Sequence, residues 1–357
     1  MKNIFPILLG LLSAITSFSQ SCLPEGIIFT TQVQIDSFQV NYPNCIEIEG
    51  DVLIYDSWNG NITNLNGLSE LRSIGGELLI SENPSLTSLE GMESLTYIGD
   101  NLKILNNNAL INLSGLESIQ FVGNYINITW NFGLIDLTGL EGLTAIGGGL
   151  HIGNNYVLNN LTGLENISSI GHDFTIFDND ALVSLSGISN LRSIGADLRI
   201  VDNDALTSLN GLDSLNHNTI VDLIITMNDL LSTCNVESIC YYLASPNGQI
   251  DISGNATGCD NQIEILNECL NGFNDKTLYA NDIHIYPNPF TTQITVETLP
   301  IDNQIHLYIY NMTGQRLYSH QIQDQTTVIN ICEYKQGIYC LILNDGYSSK
   351  LFKIVKK

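Results

Sequence analysis

Positive charge is scarce in this chain: 12 Lys and Arg stand against 37 Asp and Glu in 357 residues, a formal net charge of -25. A field of that sign repels polyanions, so neither nucleic acid nor an anionic membrane is an expected partner. Half of the basic residues lie from Arg316 onward, which leaves the preceding part as the acidic one. Long apolar runs are missing too. The longest, Ile4 to Ile15, is too short to span a bilayer, and no transmembrane segment is expected in the mature chain. Catalytic signatures are absent: there is no Gly-x-Ser-x-Gly, no phosphate-binding loop, no His-Glu-x-x-His and no paired-cysteine metal motif. The histidines are dispersed, with His151, His172 and His217 in the first part and His284, His306 and His320 near the end. No cysteine falls between Cys45 and Cys234.

What is present begins with a signal-peptide pattern. Lys2, the apolar run and the small residues Ser17 and Ser19 predict a secretory leader over 1–19, cleaved just before Gln20. Eight cysteines in an exported chain predict disulfides.

The middle of the chain repeats every 24 residues. Gly75, Gly99, Gly123, Gly147, Gly171 and Gly195 keep that step, as do Leu78, Leu102, Ile126, Leu150, Phe174 and Leu198. Each of the latter is followed two places on by Ile80, Ile104, Ile128, Ile152, Ile176 or Ile200. An asparagine column runs through Asn83, Asn107, Asn131, Asn155, Asn179 and Asn203, then two leucine columns from Leu86 and Leu89, and a second glycine column from Gly67. An earlier copy starts near Gly50 with two extra residues around Trp58 to Asn61, and a degraded one covers Val221 to Met227.

Apolar residues spaced by two predict a short strand with one face inward, and leucines spaced by three turn the chain back over the same core. One such coil cannot hide its apolar side, whereas stacked coils share a continuous core with strands pairing in parallel at about 4.8 Å per step. The predicted class is therefore mainly all-β: a parallel β solenoid over 50–226. The glycines suit corners needing positive φ or close approach, and the asparagines suit inward turns stacked as a ladder. Exposed solenoid ends need covers. An N-terminal cap is predicted over 20–49, with a short helix from Ile35 to Tyr42 and a Cys22–Cys45 disulfide. A C-terminal cap over 227–270 is predicted to hold helices Val236 to Leu243 and Gln262 to Leu270 around a strand Gln249 to Ile252. Its four cysteines allow three pairings, of which Cys234 with Cys259 and Cys240 with Cys269 is the favoured one. The copies, read as Leu-x-Ile, Asn, then Leu-x-x-Leu-x-Gly-Leu-x-x-Leu-x-x-Ile, resemble leucine-rich repeats of the receptor L domain type.

After a polar linker at 271–281 the pattern changes to seven short alternating strands, which predict a small Ig-like β-sandwich over 282–357. Tyr286-Pro287-Asn288-Pro289, the turn ending in Gly314-Gln315, Gly337-Ile338-Tyr339 and the closing Lys353-Ile354-Val355-Lys356-Lys357 resemble the C-terminal sorting domain of type IX secretion substrates. That resemblance implies type IX secretion machinery as a partner, passage across the outer membrane of a Bacteroidetes-like bacterium, removal of the domain, and release or surface attachment. Cys332 and Cys340 stand outside the resemblance, and their pairing stays open.

No constellation points to an enzyme, a cofactor or a metal. A β-helix enzyme acting on polysaccharide would use the outward strand column Leu79, Lys103, Asn127, His151, Thr175 and Arg199, but its charged members Lys103, His151 and Arg199 sit two coils, roughly 10 Å, apart. Asp178-Asn179-Asp180 and Asp202-Asn203-Asp204 are a possible Ca2+ pair, against the simpler reading as solvated turns beside the asparagine column. Binding is the function that remains, with an extracellular glycan or protein as partner. Strand alternation places Tyr125, Trp130, Phe132, Tyr156 and Phe177 outward or at turns, and they form the candidate patch with Lys103, Asn127 and His151. The alternatives are that these rings only shield edges, in a structural surface-layer component without a discrete ligand, or the β-helix enzyme.

Overall fold

The computed structural model describes residues 21–57, 59–272, 283–298, 305–311, 315–344 and 349–357. The expected leader at 1–19, most of the linker at 271–281, Trp58 and Gly314 lie outside these residues.

Among the described residues the repeat region carries two parallel sheets, one of ten strands and one of eight. The ten-stranded sheet runs in chain order from Ile27–Phe29 to Ile250–Ser253, one strand per coil. Register follows the repeat, so Ile126 pairs with Leu102 on one side and Leu150 on the other. Leu102, Ile104, Leu110, Leu113, Leu116, Ile119 and Val122 of one coil are all fully buried, at 0 % exposure. Each contributes about 1.5–3 kcal/mol relative to an exposed side chain, which a coil standing alone would forfeit.

The eight-stranded sheet was not anticipated from sequence. Its strands have two residues each, such as Tyr97–Ile98 and Phe121–Val122, and lie just before the first glycine column. Glycine permits them. A Cβ on Gly99, Gly123 or Gly195 would sit 2.1, 2.0 or 1.8 Å from the carbonyl oxygen of the glycine one coil earlier. The first column thus serves close approach, while Gly91, Gly115, Gly139, Gly163 and Gly211 of the second column also take φ between +105 and +114.

The asparagine column forms a buried ladder. Asn131 Nδ2 donates to Ile104 O (2.9 Å), Thr129 O (3.1 Å) and Asn155 Oδ1 (3.3 Å), and its Oδ1 accepts from the Asn107 backbone amide at 2.9 Å. The same links continue through Asn228 to Asn255. They satisfy backbone groups that the turn would otherwise bury without partners.

Both ends are covered. At the N-terminal end the expected single helix over 35–42 is instead two, Gln32–Asp36 and Phe38–Asn41. Thr31 and Gln34 form a capping box that starts the first earlier, and Ser37 separates it from the second. Ile35 and Phe38 are buried beneath this cap, and Cys22 is bonded to Cys45. At the other end, helices Glu237–Ala244 and Gln262–Gly272 flank the final strand, tied by Cys234–Cys259 and Cys240–Cys269.

Residues 283 onward build a separate core around Phe290, Leu307, Ile309, Leu341 and Ile354. Seven antiparallel strands form one three-stranded and one four-stranded sheet.

Candidate functional site

The eight candidate residues of the solenoid separate into two groups, one at each end of the long-sheet strands. At the downstream end the strand runs into the ladder turn, where the residue before each ladder asparagine has left-handed backbone. Glu82, Asn106, Trp130, Asn154, Asp178, Asp202 and Met227 take φ of 56, 58, 64, 53, 51, 56 and 59 there. Asn and Asp tolerate this conformation; a bulky aromatic side chain makes it a steric outlier. Trp130 nevertheless occupies it, and its ring is 44 % exposed. Phe132 lies beyond the ladder residue on the same turn, 6.2 Å from Trp130 edge to face. Tyr156 follows on the next coil and stacks on Phe132 at 5.1 Å with ring planes 15° apart. Phe132 is 39 % and Tyr156 41 % exposed, so these three rings form a continuous outward strip.

Phe177 does not belong to it. A Cβ on Gly153 would fall 2.2 Å from the Phe177 ring, so that ring fills the space above a glycine of the neighbouring strand and is half-buried. Its role is packing.

The second group gathers at the upstream end. Tyr125 is half-buried there with His151 5.3 Å and His172 6.1 Å from its ring. His151 Nε2 is hydrogen-bonded to Asp173 Oδ2, and the Tyr125 hydroxyl donates to Asp173 Oδ1 at 3.4 Å. Burial alone would raise the Asp173 carboxyl. Bonds from His151, from its own backbone amide and from Tyr125, with the attraction of His151, outweigh that and hold it below the usual Asp value. Burial and the adjacent Asp173 push the Tyr125 hydroxyl up. Lys103 bonds Glu77 at 2.7 Å and Arg199 bonds Asp197 at 2.6 Å. Each charge of the outward column is thus held by its own carboxylate, while Asn127 lies between Lys103 and His151 in the strand register. Sequence reasoning missed Asp173. It stands two places before Thr175, the residue that pairs with His151, and tabulating the columns would have shown it.

The acidic turns have a geometry that counts against calcium. Asn179 and Asn203 point inward and are spent in the ladder, so each Asp-Asn-Asp offers only its flanking carboxylates. Among the described residues no three His, Cys, Asp or Glu side chains form a set able to hold a metal ion. A shallow open depression of about 460 Å³ lies away from both groups, lined by Thr96, Glu117, Gln120 and Thr144 above Gly142.

In the C-terminal domain the motif residues are tied together. Asn288 Nδ2 donates to Lys353 O at 2.7 Å and Asn288 Oδ1 accepts from the Val355 amide at 2.9 Å, so the Tyr286-Pro287-Asn288-Pro289 segment is fastened to the closing strand. Tyr286 hydroxyl bonds Glu297, Tyr339 hydroxyl donates to Lys335 O at 2.6 Å, and the Gln315 amide donates to Asn311 Oδ1 at 3.0 Å. Gly337 opens the strand that carries Tyr339. Residues 284–357 match the family model of the secretion system C-terminal sorting domain. That match makes the chain a type IX substrate, secreted or displayed on the outer-membrane surface. No helix of the described residues is long and apolar enough to cross a membrane. No curated protein matches the chain. Cys332 is exposed and Cys340 buried, and they are not bonded to each other.

Proposed function

We propose that the solenoid is a surface recognition or adhesion module without enzymatic activity, presented outside the cell by the sorting domain. Its ligand, a glycan or a protein, binds the edge formed by Trp130, Phe132 and Tyr156. The observation that carries this reading is Trp130 itself. A large ring sits exposed at a left-handed position where the two adjacent coils use Asn106 and Asn154, at a backbone cost of about 1–2 kcal/mol and with no burial in the core to offset it. Exposed aromatic residues in a row are the side chains that most often anchor a partner. The repeat resembles the receptor L domain type of leucine-rich repeat, a likeness that agrees with a binding role and names no ligand. The upstream ion pairs lie at the other end of the strands, each basic side chain held by its own carboxylate, and take no part in this edge.

The test uses the mature chain on glycan and protein arrays, beside a variant carrying Trp130→Asn and Phe132→Asn. Asn stands at both columns on other coils, as Asn106, Asn108 and Asn154, so the variant keeps its fold. Loss of at least tenfold in binding supports recognition. Unchanged binding favours a structural surface-layer component with no discrete ligand at this edge.

A further inference from the structure

The aromatic strip does not end at Tyr156; along the same two columns it becomes acidic. Where one coil has Trp130 and Phe132, later coils have Asp178 with Asp180, Asp202 with Asp204, and then Asp229. Among the described residues none of these five carboxylates is in an ion pair, since the three pairs formed by solenoid side chains lie at the other end of the strands. Desolvation and the charges of Asp204 and Asp202 push the Asp180 carboxyl up. Desolvation, a hydrogen bond with Asp178, and the charges of Asp178 and Asp229 do the same to Asp202. Negative charge is therefore crowded and uncompensated beside an exposed apolar surface. That surface is aliphatic as well as aromatic: Ile135 and Val157, on the same turns as the rings, are exposed, and so is Ile111 one coil earlier.

Resting on the proposed recognition role, we infer that this edge takes an extended, basic polypeptide segment, with an apolar or aromatic anchor on the strip and Lys or Arg on the aspartates. Sugar hydroxyls would meet Ile111, Ile135 and Val157 without hydrogen-bond partners, and a neutral or acidic glycan would leave the aspartates unneutralised. A peptide satisfies both halves. From the coil of Trp130 to that of Asp229 the axial distance is about 19 Å at about 4.8 Å per coil, which an extended chain spans in about six residues. Anchor and cations therefore belong within one short segment.

The experiment measures binding of the full mature chain to immobilised octapeptides with a Trp or Leu anchor followed by two lysines, to the same peptides with glutamates, and to a set of neutral oligosaccharides. Expected are binding of the lysine peptides, at least a tenfold loss between 50 and 500 mM NaCl, and no binding of the glutamate peptides. Trp130→Asn with Phe132→Asn should cost at least tenfold, and Asp180→Asn with Asp204→Asn about fivefold. Asn108 already occupies the column of the latter pair, so they leave the fold intact. Equal binding of glutamate peptides, failure of the lysine peptides to bind, or preferential capture of an oligosaccharide overturns the basic-segment inference. If the aromatic variant loses binding of any probe while the aspartate variant does not, recognition by the edge stands and the charge of its partner is wrong. If the aromatic variant binds as well as the parent, the recognition edge itself is lost.

Discussion

One column of the turn never changes and its two neighbours change freely. The ladder position is Asn from Asn83 to Asn228, while the positions on either side pass from Asn106 and Asn108 to Trp130 and Phe132 and then to Asp202 and Asp204. The backbone is the same throughout, since the first flanking residue keeps φ near +55 whatever its side chain. The inward residue answers to the next coil, whose carbonyls and amides it must satisfy. The outward residues meet only others of the same edge, as where Asn154 Nδ2 donates to Asp178 Oδ2 and Phe132 stacks on Tyr156, so the buried ladder does not dictate their aromatic and acidic blocks.

The comparison breaks most severely from within. Asn131→Ala removes three donated bonds and leaves the Asn107 amide buried without a partner. A loss of about 4 kcal/mol is expected from chemical denaturation, at about 1–3 kcal/mol for the unsatisfied amide and about 0.5–1.5 kcal/mol for each lost bond. A loss under about 1 kcal/mol would show that the ladder is filling rather than framework. Next in size is Gly147→Ala, whose new Cβ would fall 2.2 Å from Gly123 O. Neither backbone can retreat without disturbing the pairing beside it, so a cost of about 2–3 kcal/mol is expected, read as a lowered thermal midpoint.

The outward column should behave with the opposite sign. Trp130→Asn relieves about 1–2 kcal/mol of backbone strain and gives up about 0.5–1 kcal/mol of contact with Phe132, so the variant should be more stable by about 0.5 kcal/mol. Greater stability with weaker ligand binding is what separates a ring kept for recognition from one kept for the fold. A destabilised Trp130→Asn chain would place the ring among the structural residues.

These same residues show which parts of the molecule were readable in sequence. Periodicity reveals whatever must match the neighbouring coil, so the strand columns, the buried ladder and the close-approach glycines were legible from spacing. The eight-stranded sheet was missed because its strands are two residues long, below the length at which alternation is visible; the column of Ile74, Ile98, Val122 and Ile146 before each glycine was its only trace. Periodicity says less about side chains that depart from it. Phe177 was expected to face outward, and it does lie on the outer side, but the glycine at 153 next to it draws the ring down into packing. Strand alternation groups Tyr125 with Trp130 as residues outward or at turns, whereas the strand between them carries the two to opposite ends, one toward Asp173 and one toward Phe132.

The smallest expected effect sharpens the contrast between the ion-paired upstream end and the unpaired acidic end through pH. Asp180 and Asp202 have carboxyls raised above the usual value of 3.8, so the folded chain binds their protons more tightly than the unfolded chain. Acidification from neutrality toward 3.8 therefore adds stability at these positions. Asp173 is lowered, so its contribution is present above 3.8 and is lost as the pH falls below that, through its folded value. Because all three groups are largely solvent-screened, each effect should amount to a few tenths of a kcal/mol. Denaturation midpoints of Asp202→Asn should exceed those of the parent near neutrality and converge with them as the pH drops toward 3.8. Asp173→Asn should start lower and converge only at the most acidic end. Identical pH profiles for the two variants would mean that the acidic turns are as well neutralised as the upstream end, which would remove the reason for a cation to bind there.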